Sequence, residues 1–399
     1  MADETFRRNL EGAFDPGPGF PDPLLLSRTM AALQADAITT RPRPEIRMRA
    51  LRFPRTAMAL VAAVLLVALV AAAIGAFLLA HSQWGRSVPA GSGSGLIVFV
   101  DRPIEPGLLN VYSISPDGSN RKNLNTPPGP DEDHNPRLSP DGTKVLFERG
   151  DKIMTVDADG TGLHQIMLGC TGSCLGDDEP DWSHDGTKIA FERAIGPMDN
   201  GTPRDVGIWV ANADGSNPHP LTQLQPGSGW EYHSPSFSPD DGQVLFMRDG
   251  NHAANLDQAS IWRIGVHGGT PSLIYQLADD RPGGGMDPRW SPDGSRILFS
   301  DICAFDSCAA PLYPAQVFTI RPDGTDLRQL IPGNRGGAFP AWSPDGQWIV
   351  FSRSVSVDLA ACPGGRGELL VMHADGTDIH RITTSTASGC QPNSPDWGI

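Results

Sequence analysis

The chain alternates short apolar runs with polar turns, and from about residue 130 this pattern repeats. Each copy has a Pro, a large apolar residue two positions later, a turn with Ser, Asp and Gly, and an apolar run that ends in Phe. The turns of the five copies begin at Ser139, Ser183, Ser238, Ser291 and Ser343. The spacings of 44, 55, 53 and 52 residues are typical of propeller blades and too long for a helical solenoid.

The apolar run after each turn, such as Val145-Leu146-Phe147, is uninterrupted and has the length of a strand. Such a run indicates a strand that is buried on both faces. The Pro before each turn suits the first residue of a strand. A second Asp-Gly turn follows in nearly every copy, for example Asp159-Gly160, and it predicts another hairpin. Each copy therefore predicts four antiparallel strands.

The two ends of the repeat region complement each other. Residues 95–100 (Gly-Leu-Ile-Val-Phe-Val) begin at the apolar strand, whereas Pro395-Asp396-Trp397 repeats only the first strand. Joining them makes a sixth blade and removes exposed sheet edges. The sequence thus predicts an all-β fold, a six-bladed β-propeller of four-stranded antiparallel blades closed by the N- and C-terminal strands.

The copies Pro340-Ala-Trp-Ser-Pro-Asp-Gly346 and Asp157-Ala-Asp-Gly-Thr161 resemble the repeats of the TolB-like (WD40-like, PD40) six-bladed propellers. The resemblance covers roughly residues 95–399. It implies a binding platform outside the cytoplasm, although a fold alone does not assign an activity.

Residues 57–80 are 24 consecutive uncharged, mostly apolar positions. As a helix they would extend about 36 Å, enough to cross a hydrocarbon core of about 30 Å. Six Arg lie between residues 41 and 55, and the basic side of a span stays in the cytoplasm. A cleaved signal peptide, with Val88-Pro89-Ala90 as its cleavage site, is the competing interpretation.

We therefore expect a single-pass cell-membrane protein in four parts. They are a partly disordered cytoplasmic tail (1–56), a transmembrane helix (57–80), a flexible linker (81–94) and an extracellular or periplasmic propeller (95–399). The net charge is −15, because residues 1–56 carry +2 and residues 81–399 carry −17. This acidity argues against nucleic acid as a partner and is compatible with cations or cationic partners.

All six cysteines follow the predicted span. An even number on the oxidising side favours disulfides. Their spacing suggests the pairs Cys170–Cys174, Cys303–Cys308 and Cys362–Cys390, although six cysteines permit 15 pairings. A redox or metal pair at Cys170 and Cys174 is the alternative.

Polar residues stand directly before the strand-opening prolines, and the symmetry of the blades places them at one mouth of the central channel. The candidates are His134, Asp178, Glu179, His233 and Asp287. Imidazoles among carboxylates predict a site for a cation, such as calcium, or for a polar ligand. The alternative is that they are solvated loop residues that cap the strand ends. No other cofactor is expected.

The sequence has no Gly-x-Ser-x-Gly, no His-Glu-x-x-His, no phosphate loop and no dinucleotide motif. Prolyl-oligopeptidases pair a propeller with a hydrolase domain, but this sequence ends with the last predicted strand. We therefore expect no enzymatic activity.

The function predicted from the sequence is a non-catalytic platform that binds a protein or a ligand on the loop faces of the propeller. One alternative is a transmembrane regulator of the anti-sigma type, with the propeller as sensor and a cytoplasmic partner on residues 1–56. The other is a cation-dependent propeller enzyme of the lactonase or lyase type.

Overall fold

The computed structural model describes residues 95–102, 108–125, 129–196, 205–223, 230–250, 259–277, 287–301, 315–331, 336–356, 366–383 and 393–398. The predicted tail, transmembrane span and linker, and Cys303, Cys308, Cys362 and Cys390, lie outside these residues. Within the described ranges the regular elements are all strands, and no helix there has the length and apolarity that crossing a membrane requires. The prediction of an all-β fold is confirmed for this part of the chain.

The strands pair mainly antiparallel, and in most sheets chain neighbours lie side by side. Four sheets among the described residues have four strands each. Their strands are β24 (Asn393–Gly398), β1 (Leu96–Asp101), β2 (Asn110–Ile114) and β3 (Lys122–Asn123); β4 (Asp133–Leu138), β5 (Lys144–Arg149), β6 (Lys152–Asp157) and β7 (His164–Gln165); β16 (Arg289–Trp290), β17 (Ile297–Asp301), β18 (Gln316–Ile320) and β19 (Arg328–Gln329); and β20 (Ala338–Trp342), β21 (Trp348–Ser356), β22 (Arg366–His373) and β23 (His380–Arg381).

The remaining strands form one sheet of eight strands. They are β8 (Cys174–Trp182), β9 (Lys188–Ile195), β10 (Asp205–Asn212), β11 (His219–Pro220), β12 (Trp230–Phe237), β13 (Gln243–Gly250), β14 (Ser260–Gly265) and β15 (Ser272–Gln276). A single parallel pair, Val206 with Glu231, joins β10 to β12. This pair divides the sheet into two antiparallel sets of four strands, β8–β11 and β12–β15. With the four separate sheets, the described strands thus form six sets of four.

The last described strand pairs with the first one. Leu96 lies opposite Gly398 and Ile97 opposite Trp397, so β24 completes the sheet that β1 begins. This pairing gives β1 a neighbour on each side, because β2 pairs with its other edge. The first and last described strands are thus joined by backbone hydrogen bonds rather than left as an open sheet edge.

The second strand of each set contributes completely buried apolar side chains to the core. Its Phe is completely buried in all six sets, at Phe99, Phe147, Phe191, Phe246, Phe299 and Phe351. Phe351 packs with Leu298 and Val317 of the preceding sheet and with Leu370 of its own. The apolar core therefore lies between neighbouring sheets, and this explains why these strands are apolar on both faces.

The Ser of each Ser-Asp-Gly turn has a specific structural role. The hydroxyl of Ser139 donates to the Asp141 carboxylate at 2.6 Å and accepts from the Lys144 backbone N–H at 2.9 Å. The same pair of bonds recurs at the other four turns, for example from Ser343 to Asp345 and from the Trp348 N–H to Ser343. Gly142 closes the turn with a φ of 70°, which glycine adopts without steric cost.

Candidate functional site

Six residues directly before the strand-opening prolines adopt a left-handed backbone conformation. Their φ angles lie between 41° and 53°. They are Asn135, Glu179, Ser234, Asp287, Phe339 and Ser394. None is glycine, and such conformations cost about 1–3 kcal/mol each and persist only where the surrounding structure imposes them. The same strain therefore recurs at one position of every repeat.

Strand pairing is irregular at these residues. The register shifts between His134 and Arg137 in β4, and at the same place in β8, β12 and β20. A bulge of this kind redirects a side chain out of the regular alternation. Five of the six left-handed residues line one cavity of about 260 Å³, which we name the upper cavity. Its lining residues are Asn135, Glu179, His233, Ser234, Met247, Asp249, Asp287 and Phe339.

Three of the five candidates from the sequence, Glu179, His233 and Asp287, line the upper cavity. His134 and Asp178 are not among its lining residues. The Nε2 atom of His134 is 3.8 Å from a carboxylate oxygen of Glu132, and burial lowers the pKa of His134 although Glu132 opposes this. Asp178 lies on β8 opposite Glu192 of β9.

Sequence reasoning missed Phe339, because the search was for polar residues before each Pro and this position is apolar. It also missed two acidic residues beside the cavity, Glu148 and Glu192. Each follows the buried Phe of its strand in a repeated Phe-Glu-Arg triplet, at residues 147–149 and 191–193. That repetition was the available signal.

His233 is surrounded by carboxylates. Its Nδ1 lies 3.0 Å from Glu192 Oε2, and its Nε2 lies 3.4 Å from both Glu231 Oε2 and Asp249 Oδ1. Burial disfavours the charged imidazole, but the charge of Glu192 and the nearby carboxylates of Asp249 and Glu231 raise the pKa of His233 well above its usual range. The ring is thus held where positive charge is stabilised.

Glu179 and Glu192 converge on the backbone of Ser234. The Ser234 N–H donates to Glu179 Oε2 at 2.7 Å and to Glu192 Oε1 at 2.8 Å. Burial and the charge of Glu179 raise the pKa of Glu192. Burial acts in the same direction on Glu179, but hydrogen bonds from Glu192 and Ser234 and the charge of His233 lower its pKa overall. These contacts hold the left-handed Ser234 in place across β8, β9 and β12.

Negative charge is crowded beside the upper cavity. Burial, together with the charges of Asp178 and Glu179, raises the pKa of Glu148 to about 8. Burial and the charge of Glu179 raise the pKa of Asp178 to about 6. Glu148 also accepts a hydrogen bond of 3.3 Å from the side-chain amide of Asn135. The positive charge near these carboxylates is therefore too small to keep all of them ionised at neutral pH.

Asp287 connects the cavity to two buried arginines. Its Oδ1 accepts from Arg289 Nη2 at 2.7 Å and lies 3.5 Å from Arg137 Nη2. Burial nevertheless raises the pKa of Asp287 to about 7, because the charges of Glu179 and Asp396 add to desolvation and outweigh Arg137. Asp287 is thus positioned to change charge near neutral pH.

A second cavity of about 330 Å³, which we name the lower cavity, lies at the other end of the first strand of each set. Large apolar residues of the repeat contribute to it, namely Leu138, Trp182, Phe237, Trp290, Trp342 and Trp397. The indole N–H of Trp182 donates to the Arg137 carbonyl at 3.3 Å, so this ring bridges neighbouring sheets. Polar residues, among them Asp181, Arg289 and Asp396, also line the lower cavity.

A disulfide joins Cys170, which precedes β8, to Cys174, the first residue of β8. The described residues contain no free cysteine. The Asp-rich turns use their carboxylates locally: Asp159 Oδ1 accepts from the Thr161 N–H at 2.9 Å and from the Thr161 hydroxyl at 2.6 Å. These contacts stabilise a tight turn.

No family model matches the chain. The uncharacterized peptidase YuxL of Bacillus subtilis is 27% identical over 122 residues, which are 30% of this chain and 17% of that protein. The probable dipeptidyl-aminopeptidase B of Phaeosphaeria nodorum is 29% identical over 122 residues, 29% of this chain and 13% of that protein. The chain thus spans less than a fifth of the length of these curated relatives.

Both relatives are named as peptidases, and this contradicts our prediction that the protein is not an enzyme. The prediction rested on missing catalytic motifs. Motifs reveal reactive residues that are close in sequence, and they miss residues that only the fold brings together.

The fold is similar to that of the putative TolB from Agrobacterium tumefaciens. The TM-score is 0.51 and the identity 19%, over 75% of this chain and 91% of that chain. A likeness at this identity concerns the fold alone. Residues 95–398, where described, therefore form a β-propeller of the TolB-like fold.

Proposed function

We propose that the chain displays a six-bladed propeller outside the cytoplasm and that the upper cavity binds a cationic group of a peptide or protein partner. Crowding of carboxylates carries this proposal. Glu179, Asp249 and Asp287 line the cavity, and burial and the nearby carboxylates raise the pKa of Glu148 and Asp178 beside it, so the cluster favours binding of a further counter-ion. A bound ammonium or guanidinium group would supply it.

The number of blades rests on the six sets of strands. Dividing the eight-stranded sheet at its single parallel pair yields two sets of four, which join the four separate sheets. Six buried Phe residues at equivalent positions and six left-handed residues before Pro support the same number.

Anchoring of the propeller rests on the sequence. Residues 57–80 have the length and apolarity of a single span, and the Arg residues before them favour a cytoplasmic tail. The propeller would then lie outside the cytoplasm, where a disulfide such as Cys170–Cys174 persists. A loop face that meets a protein partner is compatible with this location.

Binding of a cationic peptide to the purified full chain tests the proposal. We expect the tripeptide Gly-Gly-Lys to bind by calorimetry, Gly-Gly-Glu to fail, and salt to weaken the interaction. Glu179→Gln should lower the affinity about 10-fold or more, since a hydrogen bond to a charged group contributes about 1.5–3 kcal/mol. Asp157→Asn, at the partly exposed end of β6 where the carboxylate pairs with Lys144, is the matched control. Equal affinity for the two peptides would overturn the proposal.

A second candidate function is hydrolysis of peptides, which the similarity to two named peptidases favours. The same purified chain, incubated with a mixture of fluorogenic dipeptide substrates, tests it. Activity that Glu179→Gln abolishes would assign the reaction to the upper cavity, whereas activity that the variant retains would place it elsewhere.

A further inference from the structure

Three side chains meet at the end of the β12–β13 hairpin next to the upper cavity. Glu231 and Asp249 are direct cross-strand partners, and His233 lies two residues beyond Glu231 on the same strand. Residues two apart on a strand share a face. One ligand atom from each of the three lies within 4.8 Å of the other two. A local hairpin thus brings an imidazole and two carboxylates together.

The orientation of His233 leaves one ring nitrogen for this group. Nδ1 faces Glu192 Oε2 at 3.0 Å, so Nδ1 carries the hydrogen and donates it. Nε2 then points toward Glu231 Oε2 and Asp249 Oδ1, and its lone pair can bind either a proton or a metal ion. Three acceptor atoms that face one another repel unless a positive charge lies among them, and the two candidates for that charge are a proton and a metal ion.

The distances favour the metal ion. Nε2 is 3.4 Å from each carboxylate oxygen, which is longer than the about 2.7–3.2 Å of an N–H···O hydrogen bond. A tetrahedral zinc ion with bonds of about 2.1 Å to nitrogen and oxygen separates its ligands by about 3.4 Å. One imidazole with two carboxylates is also a donor set that zinc accepts.

We propose that Glu231, His233 and Asp249 bind one zinc(II) ion. Glu192 accepts the Nδ1 hydrogen and so orients the ring, the usual role of a carboxylate behind a ligating histidine. The side chains of the three ligands are 22%, 22% and 28% exposed, which leaves a path for the ion to enter. His233 and Asp249 also line the upper cavity, so a ligand in the cavity would lie close to the ion.

The inference rests on the proposed function in one respect, namely that a ligand in the upper cavity would reach the open position of the ion. Zinc binding itself requires no peptide. The two proposals therefore fail separately, because zinc content and peptide affinity are independent measurements on the same protein.

The test uses the full chain, stripped with a chelator and dialysed against zinc. Elemental analysis should find one zinc per wild-type chain that His233→Ala lacks. Asp249→Asn, which keeps the shape of the side chain, should also lose zinc, and Glu192→Gln should weaken binding by about 10–100-fold. His134→Ala, an imidazole outside the group, is the matched control and should retain the ion.

Cobalt(II) gives a second readout, since its visible absorption is intense in a tetrahedral site and weak in an octahedral one. We expect an intense band in the wild-type chain and in His134→Ala, and no such band in His233→Ala. A stripped wild-type chain that takes up no zinc, or a His233→Ala chain that binds as much as wild type, would overturn the proposal. Loss of Gly-Gly-Lys binding in Glu179→Gln with zinc retained would leave it intact.

Discussion

The carboxylate of Asp396 accepts a hydrogen bond of 2.8 Å from the backbone N–H of Leu138, 258 residues earlier in the chain. Asp181 makes the same contact with the N–H of Phe237, at 3.0 Å. Both acids follow a strand-opening Pro, and in both cases the acceptor lies one set of four strands before the donor. The first strands of neighbouring sets are thus linked directly through side chains.

Removal of the Asp396 carboxylate should weaken the closure of the propeller. Asp396→Ala leaves the buried Leu138 N–H without an acceptor, which costs about 1–3 kcal/mol. We expect the free energy of unfolding in urea to fall by that amount. Asp396→Asn retains an oxygen that can accept the bond and should cost less. If the two variants are equally stable, the hydrogen bond is not what the carboxylate contributes.

The buried Phe of the second strand should be a major source of stability. Phe351 is completely buried in the core between two sheets, so Phe351→Ala should lower the free energy of unfolding by about 3–5 kcal/mol. Leu273 is 48% exposed on β15, and Leu273→Ala should change stability by no more than about 0.5 kcal/mol. Denaturant titration of both variants measures the difference. Comparable losses in the two would contradict a core between the sheets.

The strands and turns could be predicted from the sequence because their signals are local. The apolar run at 145–147 and the turn at 139–142 each occupy a few consecutive residues, and five copies reinforce them. The left-handed residues depend instead on a bulge between two paired strands, and no composition marks Phe339 for that conformation.

The candidate site was only partly predictable for the same reason. The polar residues that precede the strand-opening prolines include Glu179, His233 and Asp287, which line the cavity. They also include His134 and Asp178, which do not line it. Asp249 reaches the site because it pairs with Glu231 across a hairpin, and Glu192 because β9 brings it to His233. Those relationships follow from strand register, which the sequence pattern leaves open.

Stability should depend on pH through Asp181. Burial raises the pKa of its carboxyl to about 7, although Arg137 opposes the shift. An unfolded Asp has a pKa of about 3.9. Between about pH 4 and pH 7 the folded chain retains a proton that the unfolded chain has released, so this contribution is fully present below about pH 4 and is lost as the pH rises through 7.

Asp181→Asn should therefore reduce the fall in stability across this window, because the amide stays neutral and its oxygen still accepts from the Phe237 N–H. Urea midpoints of the variant and the wild type at about pH 5 and about pH 8 measure the effect. The fall should shrink rather than vanish, since burial also raises the pKa of Asp287, to about 7, and of Asp396. Asp157→Asn, at the partly exposed end of β6, should show the full wild-type fall. An Asp181→Asn variant whose midpoints decline as steeply as those of the wild type would show that Asp181 is already ionised in the folded chain at low pH.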